Sequence, residues 1–233
     1  MLFNSLTLAF LSGLASTNAL ALPKDTFHTK SLVARKAGDQ AVTQLLQLAP
    51  GSASCNGAPV PGECRTAEQA APFLIQAFKD YNIYNVNEIA MILSLLAFET
   101  EDFKYNTGLA MNGETTPPAG KGTRNLQDAE NNLKYARSIP ALAPQVDKIT
   151  KATSAAGLTD EQKNAVRALV LSDEYSWASA MWYYTTEPLC VPEKAKIQAG
   201  GPDALPAYIR CLKTEPATKR DEKLALARAA FGI

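Results

Sequence analysis

Residues 86–105 read V-N-E-I-A-M-I-L-S-L-L-A-F-E-T-E-D-F-K-Y. Ile89, Met91, Ile92, Leu93, Leu95, Leu96 and Phe98 leave almost no polar face. A helix that is apolar all round belongs in the middle of a core, enclosed by other helices. Asn85-x-x-Glu88 stands before it as a capping box, so the pattern predicts a helix over 86–99. Its last turn delivers Glu99 between Phe98 and Phe103. A carboxyl leaving an apolar helix end is poorly solvated, and the helix C-terminus adds partial negative charge. Both effects favour the protonated form. Glu99 is therefore a candidate general acid, a group able to hand a proton to a leaving oxygen.

Outward from this helix the chain reads as further helices joined by polar loops. Thr66-x-x-Gln69 opens one over 67–80, and Thr159-x-x-Gln162 opens one that ends near Leu171. Ser172-Asp173-Glu174 starts another, running through Trp177 and Trp182 to about Thr185. Shorter pieces are predicted at 127–138, 139–152, 192–199 and 202–213, and 221–231 closes the chain before Gly232. Strand-like alternation is nearly absent, so the expected class is mainly α around one central buried helix. One stretch breaks the rhythm: 106–124 holds four glycines and Pro117-Pro118, a length that usually marks a functional loop.

The 233 residues are 46% apolar and 20% charged, enough for one domain with its own core. Lys+Arg and Asp+Glu both number 23, so no bulk positive charge draws the chain to nucleic acid or an anionic membrane. The sole histidine, His28, lies in a polar N-terminal stretch. This argues against Ser-His or Cys-His hydrolases and against a His-based zinc site, and Ser94 has no evident lysine partner. No P-loop or dinucleotide fingerprint is present, so no cofactor and no metal are expected.

Residues 1–21 carry no charged side chain, and a short apolar run ends in Ala19-Leu20-Ala21. That pattern reads as a secretory signal peptide and is too short to span a membrane. Residues 22–50 differ in composition and read as a propeptide or flexible arm, with a first helix around Asp39–Leu48 as the competing reading. The expected helical domain is then 51–233. Cys55, Cys64, Cys190 and Cys211 are an even set in a secreted chain, which implies two disulfides. Of three possible connectivities, Cys55–Cys64 and Cys190–Cys211 are favoured because each pair brackets a turn-rich segment.

The run L-L-A-F-E-T-E-D-F-K-Y-N is similar to the helix-end motif of the lysozyme superfamily. In goose-type lysozymes and lytic transglycosylases the catalytic Glu ends a buried helix and is commonly followed by Ser; Thr100 stands in that place here. T-R-N-L-Q (123–127) is similar to their cleft-lining G-L-M-Q, with Arg124 and Asn125 replacing its small glycine. Y-S-W-A-S-A-M-W-Y-Y (175–184) resembles a later helix of those enzymes. About 55–233 resembles a group of small secreted fungal proteins, near which fungal muramidases belong.

The resemblance implies a lysozyme-like helical fold and a monomeric, secreted glycoside hydrolase. It would act on β-1,4 links of a cell-wall polysaccharide, peptidoglycan or the chitin-type rival. Glu99 takes the general-acid role. Asp102 is the nearest candidate for the second carboxylate, with Glu114 and Asp128 as others. Tyr105, Asn106, Thr123, Arg124, Asn125, Gln127 and Tyr135 would line the substrate cleft, and Tyr184 or Trp182 could floor a sugar subsite. Lys134, Arg137 and Arg124 read as surface cations, and Lys219-Arg220 as structural. A rival of a different class is a secreted carbohydrate-binding or interaction protein that keeps the fold without turnover.

Overall fold

Asn85 begins the element that organises the molecule. Its side chain accepts from the N–H groups of Asn87 and Glu88 and starts helix α3, Val86–Glu99. The reciprocal half of the expected capping box is missing. Glu88 instead turns inward, where Oε1 accepts from the Tyr184 hydroxyl at 2.8 Å. From Ala90 to Ala97 every residue of α3 is buried, as its all-round apolar sequence requires.

The computed structural model describes residues 38–107 and 117–233. The signal-peptide reading, His28 and Glu114 lie outside the described residues. Helix α1 (38–48) precedes a 3₁₀ turn at Pro50–Ala53 and α2 (Ala67–Asp80), then α3. After the long loop come α4 (Ala129–Ser138), α5 (Ala143–Ile149), α6 (Asp160–Leu169), α7 (Asp173–Ser176) and α8 (Ser179–Thr186). A 3₁₀ turn at Val191–Glu193 leads into α9 (Lys194–Ala199), α10 (Ala204–Leu212) and α11 (Thr218–Phe231). No strand occurs among the described residues; Gly122 and Gln127 form one isolated bridge. The class is all-α.

Helix α11 lies along α3, which also packs against α8 and α9, while α4, α5 and α6 pack together to one side. The capping boxes at Thr66 and Thr159 form in full, each hydroxyl bonding the N3 amide and each Gln returning to the cap. Two expectations shift. The helix expected over 172–185 is two, broken at Trp177-Ala178, and the one expected over 139–152 shrinks to Ala143–Ile149. Both disulfides pair as favoured, Cys55–Cys64 and Cys190–Cys211.

The flexible-arm reading of 22–50 does not hold for its described part. Residues 38–48 are helical, and Leu45, Leu48 and Ala49 are buried in the main hydrophobic cluster. Val42, Leu45, Leu46 and Ala49 recur at helical spacing, and burying that stripe outweighs the local polarity. The helical body therefore starts before Gly51, within a unit that runs from Lys36 to Ile233.

Candidate active site

The exit of α3 sets the geometry. Thr100 caps the helix: its hydroxyl donates to Leu96 O at 2.5 Å and accepts from Phe103 N–H at 2.9 Å. Asp102 N–H bonds back to Ala97 O at 2.8 Å, and Glu101 N–H to Phe98 O at 3.4 Å. This is a Schellman closure with Glu101 where glycine is usual. Glu101, Asp102 and Phe103 then follow in sequence with φ of +48°, +58° and +72°. Three consecutive non-glycine residues in the left-handed region cost about 1–2 kcal/mol each, so packing must hold them there. The holding contacts are visible. Phe103 is fully buried with its ring edge-on to Trp177 at 5.1 Å. Asp102 accepts from Gly51 N–H at 3.0 Å and from Lys223 of α11. Gly51 has no room for a side chain, since a Cβ there would sit 2.9 Å from the Asp102 carboxylate.

Glu99, just before this turn, is 21% exposed at its side chain. Its Oε1 accepts from Arg220 Nη2 at 2.9 Å, the guanidinium of which lies 4.6 Å over the Phe98 ring. Burial pushes the Glu99 carboxyl above the ordinary glutamate range, and the positive charges of Arg220 and Lys121 only partly oppose that. Two cavities meet at this carboxyl. One, of about 570 Å³, is lined by Glu99, Glu101, Asp102, Lys104 and the α11 residues Lys219, Glu222 and Lys223. The other, of about 620 Å³, is lined by Asn125, Gln127, Asn131, Tyr183, Lys213 and Arg220 among others. Phe98, Glu99, Lys121 and Leu126 border both. Glu99 therefore stands at the middle of a groove with a charged arm and an amide-rich arm.

Of the residues expected at the cleft, Glu99, Asp102, Asn125 and Gln127 border it. Asp128, weighed as a second carboxylate, borders the amide-rich arm, but its side chain caps α4 through Asn131 N–H. Seven others sit in packed interior instead, and each has a physical reason. The Arg124 side chain is fully buried. Its guanidinium donates to Phe103 O, Tyr105 O and Glu63 O at 3.0, 2.8 and 2.6 Å and lies 4.5 Å over Trp177. Burial draws it down to about 10, against the pull of Asp173, so it stays charged at neutral pH. It is neither a surface cation nor a groove residue. Tyr105 is buried and supplies its carbonyl to Arg124. Asn106 is held by Leu171 O, Ser176 Oγ and the Glu63 carboxylate. Thr123 is buried and accepts from Ser179. The Tyr135 hydroxyl donates to Tyr175 O, and the Tyr184 hydroxyl is spent on Glu88. Trp182 is buried against Tyr135, and the residue of that helix that borders the groove is its neighbour Tyr183.

The residues missed by the sequence reading are Lys121, Tyr183 and the face of α11, above all Arg220. No local pattern points to Arg220, because its partner is 121 residues away. Gln127 is 6% exposed; its amide N–H donates to Asn132 Oδ1 at 2.8 Å, and its Oε1 has no hydrogen-bond partner. Among the described residues no three His, Cys, Asp or Glu side chains gather as a metal site, and no helix is long and apolar enough to cross a membrane.

No protein-family model matches this chain, and no solved structure matches it. The chain is similar to a protein of Fusarium oxysporum (strain Fo5176) described as a bifunctional dioxygenase (DOX)-epoxy alcohol synthase (EAS). The two are 40% identical over 119 residues, which is 51% of this chain and 9% of that protein. The match thus covers less than a tenth of the relative's length.

Proposed function

We propose that this protein is a secreted glycoside hydrolase that cleaves β-1,4 links of an N-acetylhexosamine polymer, peptidoglycan first, with Glu99 as general acid. The observation that carries the reading is the place of Glu99. It is a shielded carboxyl biased toward its protonated form, at the middle of a groove that extends to both sides. A polymer laid in such a groove presents an internal linkage to the acid, and a carboxyl that keeps its proton can protonate the departing glycosidic oxygen. Asn125 and Asn131 on one arm suit sugar hydroxyl and N-acetyl groups, while Gln127 and Tyr183, which also border it, are buried. Two disulfides suit an oxidising, extracellular setting.

Asp102 is engaged by Gly51 and Lys223 and acts as a brace of the turn. The partner of Glu99 in the reaction is then Glu101 or Glu222, on the same cavity wall, or the N-acetyl oxygen of the substrate. The activities named for the Fusarium protein belong to a chain of which the match covers 9%, and they supply no role for Glu99.

The Arg220–Glu99 ion pair and the engaged Asp102 favour a second reading, a polysaccharide-binding protein without turnover. One experiment separates the two. Mature protein and Glu99→Gln are incubated with Gram-positive cell walls and with chitin, and soluble fragments are identified by mass spectrometry. Release by the natural protein alone supports the hydrolase. Sedimentation with the polymer and no release by either protein supports the binding reading. Equal release by both removes Glu99 from the mechanism.

A further inference from the structure

Arg220 is unusually committed for a residue at a cavity edge. Its Nη2 holds Glu99 at 2.9 Å, its Nη1 donates to Thr214 Oγ1 at 3.0 Å and Glu215 O at 3.4 Å, and its plane covers Phe98. The side chain is 13% exposed, and Nε is buried with no partner. Arg220 comes from the first turn of α11 and Glu99 from the last turn of α3, so the contact joins the two helices at the point where both cavities meet.

We propose that Arg220 is the positioning residue of this site: it fixes the Glu99 carboxyl between the two arms of the groove and sets the pH at which that carboxyl gives up its proton. This rests on the general-acid reading of Glu99. The other charges around Glu99 compete poorly with it. On the turn after α3, Asp102 is matched by Lys223, so the pair is close to neutral from outside. Glu101 lines the charged arm and opposes Arg220, as does Glu222 of α11; Lys104 and Lys219 line the same arm and offset them. Lys121, from the loop before α4, favours the anion but makes no ion pair with Glu99 among the described contacts. From α10, burial first and the Glu99 charge second push the Tyr208 phenol up, and it stays neutral. On the amide-rich arm, Lys213 is engaged by Glu187 and Asp128 caps α4. Arg220 is the cation in hydrogen-bond contact, and that contact is the strongest influence of any charged neighbour on Glu99, second to burial itself.

The test reads ionisation directly and turnover separately. Protein labelled with ¹³C at glutamate carboxyls is titrated by NMR, and the Glu99 resonance is assigned as the one absent from Glu99→Gln. Arg220→Gln is expected to raise the Glu99 midpoint by about one pH unit or more, a tenfold change in its ionisation constant. Arg220→Lys keeps a cation in reach and is expected to undo most of that rise. Thr214→Val loosens the guanidinium without touching Glu99 and shifts the midpoint the same way by less, which keeps the test alive if Arg220→Gln does not fold. In cell-wall hydrolysis the alkaline limb of the pH–rate profile moves with the NMR midpoint. An unmoved midpoint in Arg220→Gln, or in Thr214→Val if the former is unfolded, overturns the proposal and leaves Arg220 a strut between helices. A moved midpoint with no hydrolysis by any protein upholds the Arg220–Glu99 coupling and overturns the hydrolase reading.

Discussion

Replacing Arg124 by alanine tests whether the T-R-N-L-Q segment is a substrate surface or a structural tie. The guanidinium satisfies three carbonyls from two stretches: Glu63 beside the first disulfide, and Phe103 and Tyr105 in the segment that leaves α3. Truncation strands Glu63 O and Tyr105 O, leaves Phe103 O with only its bond from Arg65 N–H, and empties the face of Trp177 in a site with no exposed side-chain surface. Each hydrogen bond from a charged donor is worth about 1.5–3 kcal/mol, and they are not additive when they share one group. Removing one member of a buried charged network costs about 3–5 kcal/mol. Together these give an expected loss of about 4–6 kcal/mol for Arg124→Ala, or about 8–24 °C in Tm at about 2–4 °C per kcal/mol for a domain of this size. Arg124→Lys recovers little, because an ammonium cannot reproduce the fork that reaches three carbonyls. Urea unfolding followed by circular dichroism measures the loss, and polysaccharide binding at a temperature where the variant is folded measures the rest. A loss under about 1 kcal/mol combined with abolished binding would refute the structural assignment and return Arg124 to the groove.

Other consequences can be measured on the same footing. Because burial raises the Glu99 carboxyl above its ordinary value, the folded state binds its proton more tightly than the unfolded chain. That contribution to stability is complete below the ordinary glutamate range and is lost as pH rises through the folded value. Glu99→Gln removes this slope, so its urea midpoint is expected to gain on the natural protein as pH rises above the ordinary glutamate range; a difference that runs the other way refutes the assignment. Breaking Cys190–Cys211, which spans 21 residues, is expected to cost about 3.4 kcal/mol by loop entropy. Breaking Cys55–Cys64, which spans nine, is expected to cost about 2.7 kcal/mol, and paired Cys→Ala unfolding curves give the ranking. Gly120 has φ +77°, and a Cβ there would lie 2.6 Å from the Ala129 side chain, so Gly120→Ala should lower stability by about 2–3 kcal/mol in thermal melts.

What could be read from the sequence was whatever is settled within a few residues. Thr66-x-x-Gln69 and Thr159-x-x-Gln162 declare helix starts because the cap and its return bond lie three residues apart. The all-apolar run of α3 announces its own burial, and the turn-rich segments bracketed by each cysteine pair favoured, among three connectivities, the one that forms. Glu99 was legible as a shielded carboxyl for the same reason. The groove residues were not, because polarity does not reveal direction. Arg124, Tyr135 and Tyr184 look like cleft residues by type, yet each spends its polar atoms on partners at least 19 residues distant. The capping box at Asn85 failed in a related way: Glu88 had a better offer from Tyr184, 96 residues on, than from its own helix start. Arg220 could not have been found without the fold that lays α11 along α3.

The pairing of α3 with α11 also sets an order of events in biosynthesis. At a synthesis rate of about 5–20 residues per second, the 121 residues between Glu99 and Arg220 take about 6–24 s to emerge. For that interval the most apolar helix of the protein has been made and the helix that lies along it has not. Microsecond collapse cannot wait for it, so the nascent chain must shelter α3 provisionally, against earlier helices or a chaperone, and later exchange that cover for α11. Competence of the site is thus a late event in the life of each molecule, and slowing translation downstream of α3 should raise the aggregated fraction more than slowing it upstream.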